Sequence, residues 1–174
     1  MNHDDRPLVI VSNRGPAQFA RDAEGSRENL RKAEVLLEEL VSRDAHNTEF
    51  LQELSNVYDR KADILSQLNP NYTEALLLNR KSLEISEMLV RVEPFNTRFR
   101  RGVAVSHYRI AELSEKMGDL KVALDSSRKA LAIFTELSAQ DPKNDEFRQT
   151  GATTQAVVSE ILIKTGRAAE SIEL

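Results

Sequence analysis

Glu93-Pro94-Phe95-Asn96-Thr97-Arg98-Phe99 has two counterparts elsewhere in the 174-residue chain: Asp44-Ala45-His46-Asn47-Thr48-Glu49-Phe50 and Asp141-Pro142-Lys143-Asn144-Asp145-Glu146-Phe147. The closing phenylalanines stand 49 and 48 positions apart. A second anchor keeps the same step: Arg31-Lys32-Ala33, Arg80-Lys81-Ser82 and Arg128-Lys129-Ala130. Two anchors that share one period mark an internal repeat, and periods of this order belong to stacked supersecondary units.

Each unit reads as two helices. After Asn96, the residues Phe99, Val103, Ile110, Leu113 and Met117 recur at helical spacing. The run stops at Met117-Gly118-Asp119, where glycine suits a helix C-terminus. Leu120, Ala123, Leu124, Leu131, Phe134 and Leu137 carry the next helix, which ends before Asp141-Pro142, because proline disfavours a helical residue before it. Asn47, Asn96 and Asn144 are natural N-caps. In the first unit the inner turn Asn69-Pro70-Asn71-Tyr72 is one residue longer, which accounts for 49 against 48. The spacing predicts six helices, near residues 27–43, 47–67, 72–92, 96–117, 120–140 and 144–165, with a seventh just starting.

The stretch from Met117 through Leu131, with Gly118, Ala123 and Ala130, resembles the turn and second helix of a tetratricopeptide repeat. The resemblance covers residues 27–174. That family puts small residues where paired helices touch; here those positions hold Ala62, Ala111 and Ser159, then Ala75, Ala123 and Ser171, then Ala33, Ser82 and Ala130. The period exceeds the usual 34, as in the long variants found in bacterial signalling proteins. The resemblance implies an all-α fold, a right-handed superhelical array of helix-turn-helix repeats, starting and ending mid-repeat. Val157, Val158, Ile161, Leu162 and Ile163 then belong to a last first-type helix without its own partner. Self-association through that uncapped repeat end is one expectation.

Residues 1–26 are a short non-helical appendage on this reading. Leu8-Val9-Ile10-Val11 is a continuous apolar run of the kind found in buried parallel strands, and Gly15-Pro16 breaks it. Residues 7–25 resemble the start of trehalose-6-phosphate synthase, a sugar-nucleotide glycosyltransferase that opens with a strand ending in Val-Ser-Asn-Arg. Arg14 falls on the arginine that holds the acceptor sugar's phosphate in that family, and a guanidinium fork matches phosphate oxygens. The family's glycine-rich nucleotide-sugar loop does not follow; Ser26-Arg27-Glu28-Asn29 starts the helical array instead.

Composition excludes several classes. Charged residues make up 30% of the chain, yet the net charge is only −4, unlike the basic excess of nucleic-acid binders. The absence of cysteine removes disulfides, thiolate metal sites and a cysteine nucleophile. No apolar run reaches the length of a membrane span, and the acidic N-terminus lacks the marks of a signal peptide, so the expected location is cytoplasmic. His3, His46 and His107 form no metal-ligand pattern, with His107 read as a packing residue. No phosphate loop or nucleophile elbow occurs. No metal or cofactor is expected. Arg91, Arg98, Arg100 and Arg101 read as a solvated basic turn.

First helices line the groove in the tetratricopeptide family. Projecting its groove positions gives Asn56, Asp59 and Asp63, then Val105, Tyr108, Glu112 and Glu115, then Thr153, Glu160 and Lys164. The implied function is a non-catalytic protein-protein interaction scaffold that holds a peptide or helix, basic with one apolar anchor. The alternative is a truncated or regulatory fragment related to trehalose-6-phosphate synthase, or a chimeric product without independent function. Proximity of both substrates is most of glycosyl-transfer catalysis, and the second pocket is missing. Purified protein is therefore expected to show no glucosyl transfer from a nucleotide sugar to glucose 6-phosphate. Turnover that disappears with Arg14→Ala would refute the scaffold reading.

Overall fold

The structure is a computed structural model that describes residues 16–68 and 71–172, with side chains described for residues 25–67 and 71–171. Six helices account for nearly all of it: α1 (Pro16–Arg43), α2 (Thr48–Leu68), α3 (Tyr72–Val92), α4 (Thr97–Lys116), α5 (Leu120–Gln140) and α6 (Asp145–Lys164), followed by a 3₁₀ helix over Ala168–Ile172. Among the described residues there is no strand. The fold is all-α, and each helix packs chiefly on its neighbours in sequence. No helix among the described residues is long and apolar enough to cross a membrane.

Five of the six helices lie within a residue or two of the predicted bounds. The seventh element is a 3₁₀ helix. The first helix is a correction, because α1 begins at Pro16 and runs unbroken through the predicted boundary at residue 26. Residues 16–26 are thus helical and not an irregular appendage. Pro16 occupies the first helical position, where its missing N–H is no loss and its fixed φ is already helical. The same Gly15-Pro16 pair that ends an extended run can therefore open a helix. The expected strand at Leu8–Val11, Arg14 and His3 lie outside the described residues, as do Asn69 and Pro70.

Local chemistry sets the helix ends. The side chain of Asn47 accepts from the amides of Glu49 and Phe50, that of Asn96 from Arg98 and Phe99, and that of Asn144 from Phe147. Asn71 and Asp119 do the same for α3 and α5. Each such cap is worth about 1 kcal/mol. Gly118 and Gly166, at φ 82° and 73°, end α4 and α6 in the left-handed conformation that side chains other than glycine resist.

The helices meet through small side chains. Ala62, Ala75, Ser82, Ala111, Ala123 and Ala130 are all essentially inaccessible to solvent. Ser82 on α3 lies 2.9 Å from the hydroxyl of Ser55 on α2 and 3.2 Å from that of Ser106 on α4. Three helices therefore converge on three hydroxyls that satisfy one another. Gly102 belongs to the same crossing, since a Cβ there would stand 3.1 Å from Ser86 Oγ. Around these crossings larger residues fill the space. Leu54, Tyr58, Leu78, Ile85, Leu89, Phe99 and Leu113 form one cluster, Ala104, Phe134, Leu137 and Phe147 a second. Burying a side chain such as Phe134 contributes about 1.5–3 kcal/mol.

The predicted bare face of α6 is also corrected. Val158, Ile161 and Leu162 are fully buried against Ala123 and Leu124 of α5, with Val157 half-buried beside them. Of that set only Ile163 is exposed. The 3₁₀ helix packs on α6 as well, and Arg128 of α5 reaches Glu170 in it at 2.8 Å. An amphipathic helix with a preceding neighbour already has a place for its apolar side.

The Ser82 crossing separates the effect of volume from that of hydrogen bonding. Ser82→Ala removes hydroxyl contacts only and should cost about 0.5–1.5 kcal/mol in denaturant unfolding. Ser82→Leu must also push α2 and α4 apart, adding about 1–3 kcal/mol. Equal stability of the two variants would contradict close packing at this point.

Candidate functional site

Side chains on α2, α4 and α6 reach one another across the intervening odd-numbered helices. Arg109 of α4 places one guanidinium nitrogen 3.1 Å from Asp59 and the other 3.0 Å from Asp63, both on α2. Asp59 and Asp63 are four residues apart, so they project from the same side of α2, one turn above the other. Lys164 of α6 lies 2.6 Å from Glu115 of α4 and 2.7 Å from Glu160 on its own helix. Arg101 of α4 pairs with Glu146 of α6. The even-numbered helices thus share a face, and ion pairs run along it.

Most of the projected groove residues are brought together on this face, though not as a free acidic surface. Asp59 and Asp63 share Arg109, while Glu115 and Glu160 share Lys164. Tyr108 donates its hydroxyl to Glu112 at 3.2 Å. Asn56 is half-buried and binds within its own helix, donating to Glu53 at 3.4 Å. Asn56 and Asp63 also line a cleft of about 680 Å³ whose far wall is Asn29, Leu30 and Leu37 of α1. Thr153 is exposed, and its hydroxyl donates to the carbonyl of Gln149. Val105 is better described as core, since it packs against the cluster around Phe134.

Arg109 is the residue that sequence reasoning missed. Its partners lie 46 and 50 positions away, and an arginine beside a tyrosine on a charged helix carries no local mark of a bridging role. The basic group near residue 100 is a second correction. Arg100 binds Glu136 and, at 3.2 Å, Gln140 on α5, and Arg101 binds Glu146. These two arginines tie helices together, while Arg91 and Arg98 are exposed, as the sequence reading has them.

Electrostatics on the shared face follow from burial. Partial burial pushes the carboxyl groups of Asp59 and Asp63 above the usual aspartate value, and the pull of the one guanidinium they share does not fully offset it. Burial, then the field and hydrogen bond of Glu112, raise the Tyr108 phenol. Hydrogen bonds to Glu115 and Glu160 raise Lys164 to about 12. On another side of α4, His107 is half-buried among Lys129, Glu87 and Asp125, and burial is the main cause of its lowered pKa. Among the described residues no group of three or more histidines or carboxylates is placed to hold a metal ion.

Arg109 can be tested by removal and by pH. Arg109→Ala leaves two partly buried carboxylates without their cation and should cost on the order of 1–3 kcal/mol. Raised aspartate pKa values mean that the folded state binds protons more readily than the unfolded one. This contribution to stability therefore falls as pH rises from the ordinary aspartate value. Asp59→Asn abolishes its own share, so its stability relative to the parent protein should increase between pH 4 and pH 7. A constant difference in thermal melts across that interval would show that Asp59 titrates as an exposed carboxylate.

A scan against protein-family models and a search of curated proteins both find no match to this chain.

Proposed function

We propose that the chain is a repeat array of the tetratricopeptide type, a right-handed superhelix of helix-turn-helix units, and that the face shared by α2, α4 and α6 is a groove holding a peptide or helix of a partner protein. The scaffold is non-catalytic on this reading. The supporting observation is the reach of Arg109 to Asp59 and Asp63, and of Lys164 to Glu115, from one even-numbered helix to the next. In a stacked array the first helices of successive units are neighbours, and this reach agrees with that placement. Buried small residues at the crossings and glycines at the ends of α4 and α6 agree with it.

The partner is a basic segment with one apolar anchor. Six carboxylates, Asp59, Asp63, Glu112, Glu115, Glu146 and Glu160, outnumber the three cations among them, Arg101, Arg109 and Lys164. Exposed ion pairs are worth only about 0–1 kcal/mol each. The excess acid therefore steers and selects, while the apolar anchor supplies affinity. Tyr108 is half-buried, and its hydroxyl is tied to Glu112, so the ring is held at low entropic cost. Such a tyrosine suits the centre of an interface.

A peptide-library screen on the full chain should enrich basic sequences carrying one large apolar residue, and their binding should weaken with salt. Tyr108→Ala should cost about 2 kcal/mol of binding, and Asp63→Asn less than about 1 kcal/mol. Enrichment of acidic peptides, or of none, would refute the groove.

A further inference from the structure

Helix α1 has a second face that the groove does not use. Arg27, Leu30, Ala33, Glu34, Leu37, Leu40 and Val41 are its partly covered residues; Leu37 and Val41 pack on the core, and Glu34 pairs with Lys61 of α2. On the opposite side Glu28, Lys32, Val35, Leu36, Glu39 and Arg43 are all exposed, Val35 and Leu36 at 56% each. With 3.6 residues per turn these six fall on a stripe about 100° wide. None of the core clusters includes Val35 or Leu36.

The order of charges along this stripe is self-complementary. Reading from Glu28 to Arg43, an acid and a base precede the apolar pair, and an acid and a base follow it. When a second copy is turned end for end about the point between Val35 and Leu36, Glu28 meets Arg43, Lys32 meets Glu39 and Val35 meets Leu36. Every contact then occurs twice, as a two-fold axis requires. A parallel arrangement in the same register would instead set each charge against its like. We propose that two copies of this chain associate through α1, antiparallel, over residues 28–43, a contact about 24 Å long. Val35 and Leu36 lie at the midpoint of the contact along its length, one on each margin of the stripe, and the charges to either side fix its direction and register.

Within one chain these charges make only exposed contacts along the helix. Glu28 binds Arg31 at 3.0 Å and Lys32 at 3.5 Å, and Glu39 binds Arg43. Pairs of this kind contribute about 0.3–0.5 kcal/mol each, so they yield readily to partners across an interface. The α4 surface around Tyr108 stays clear of the contact, and a dimer presents two such surfaces to a bivalent partner.

Sedimentation equilibrium of the full chain from micromolar to millimolar concentration tests this, with circular dichroism confirming that each variant is folded. The parent protein should dimerise. Lys32→Glu and Glu39→Lys each bring like charges together at two places and should weaken the dimer by at least about tenfold. An equimolar mixture of the two variants should restore association, because every contact between positions 32 and 39 is then between opposite charges. A monomer at all concentrations, a dimer indifferent to both reversals, or a mixture no tighter than its components would each overturn the proposal.

Discussion

The close approach of helix axes at small side chains is the contact that the remaining packing depends on. Where Ser82 passes between Ser55 and Ser106, the hydroxyls of three successive helices touch. Ala62, Ala75, Ala111, Ala123 and Ala130 occupy other fully covered positions. A helix surface that is small at its crossing lets larger neighbours such as Leu89, Phe134 and Leu137 interlock around it. Protein interiors tolerate little empty volume, so this alternation of small and large is what sets the spacing of the helices. Serine at a crossing has a further cost, because a buried hydroxyl must be satisfied. Here the serines satisfy one another, which makes the crossing selective for its own register.

That spacing decides the chemistry of the face on α2, α4 and α6. Only when alternate helices are near can Arg109 span Asp59 and Asp63, or Lys164 span Glu115 and Glu160. The face is consequently pre-arranged: its charges are held by one another, and Tyr108 is anchored through Glu112. A surface ordered before binding loses less entropy when a ligand arrives. The same neutralisation weakens the field above this face, because Asp59, Asp63, Glu115 and Glu160 each already have a cation beside them.

The two corrected helix features have a common origin. At α1, Gly15-Pro16 was ambiguous because proline both ends an extended run and favours the first helical position. At α6, Val158, Ile161 and Leu162 were predicted to be bare because their helix was assigned a missing following partner. The preceding helix α5 and the 3₁₀ segment cover them. In both places a local pattern was compatible with two arrangements; at α6 the packing of α5 and the 3₁₀ segment selected one. The exposed apolar pair lies instead on α1, at Val35 and Leu36.

Sequence alone determined the elements and their punctuation: helical periodicity, the N-capping asparagines at 47, 96 and 144, Gly118 at the end of α4, and six of the nine small residues expected at the crossings, Ala33, Ser159 and Ser171 being only half-buried. These depend on interactions within a few residues, which a local pattern can encode. It also nominated Asp59, Asp63, Tyr108, Glu112, Glu115, Glu160 and Lys164 as members of one face. Tertiary structure alone decided how those side chains are occupied. It assigned Arg109 to α2, Lys164 to α4, Arg100 to α5 and Arg101 to α6, pairings between positions 36 to 50 residues apart. A charged residue on a helix looks the same in sequence whether it faces water or an opposite charge. Which of the two it faces depends on the position of another helix, and packing sets that position.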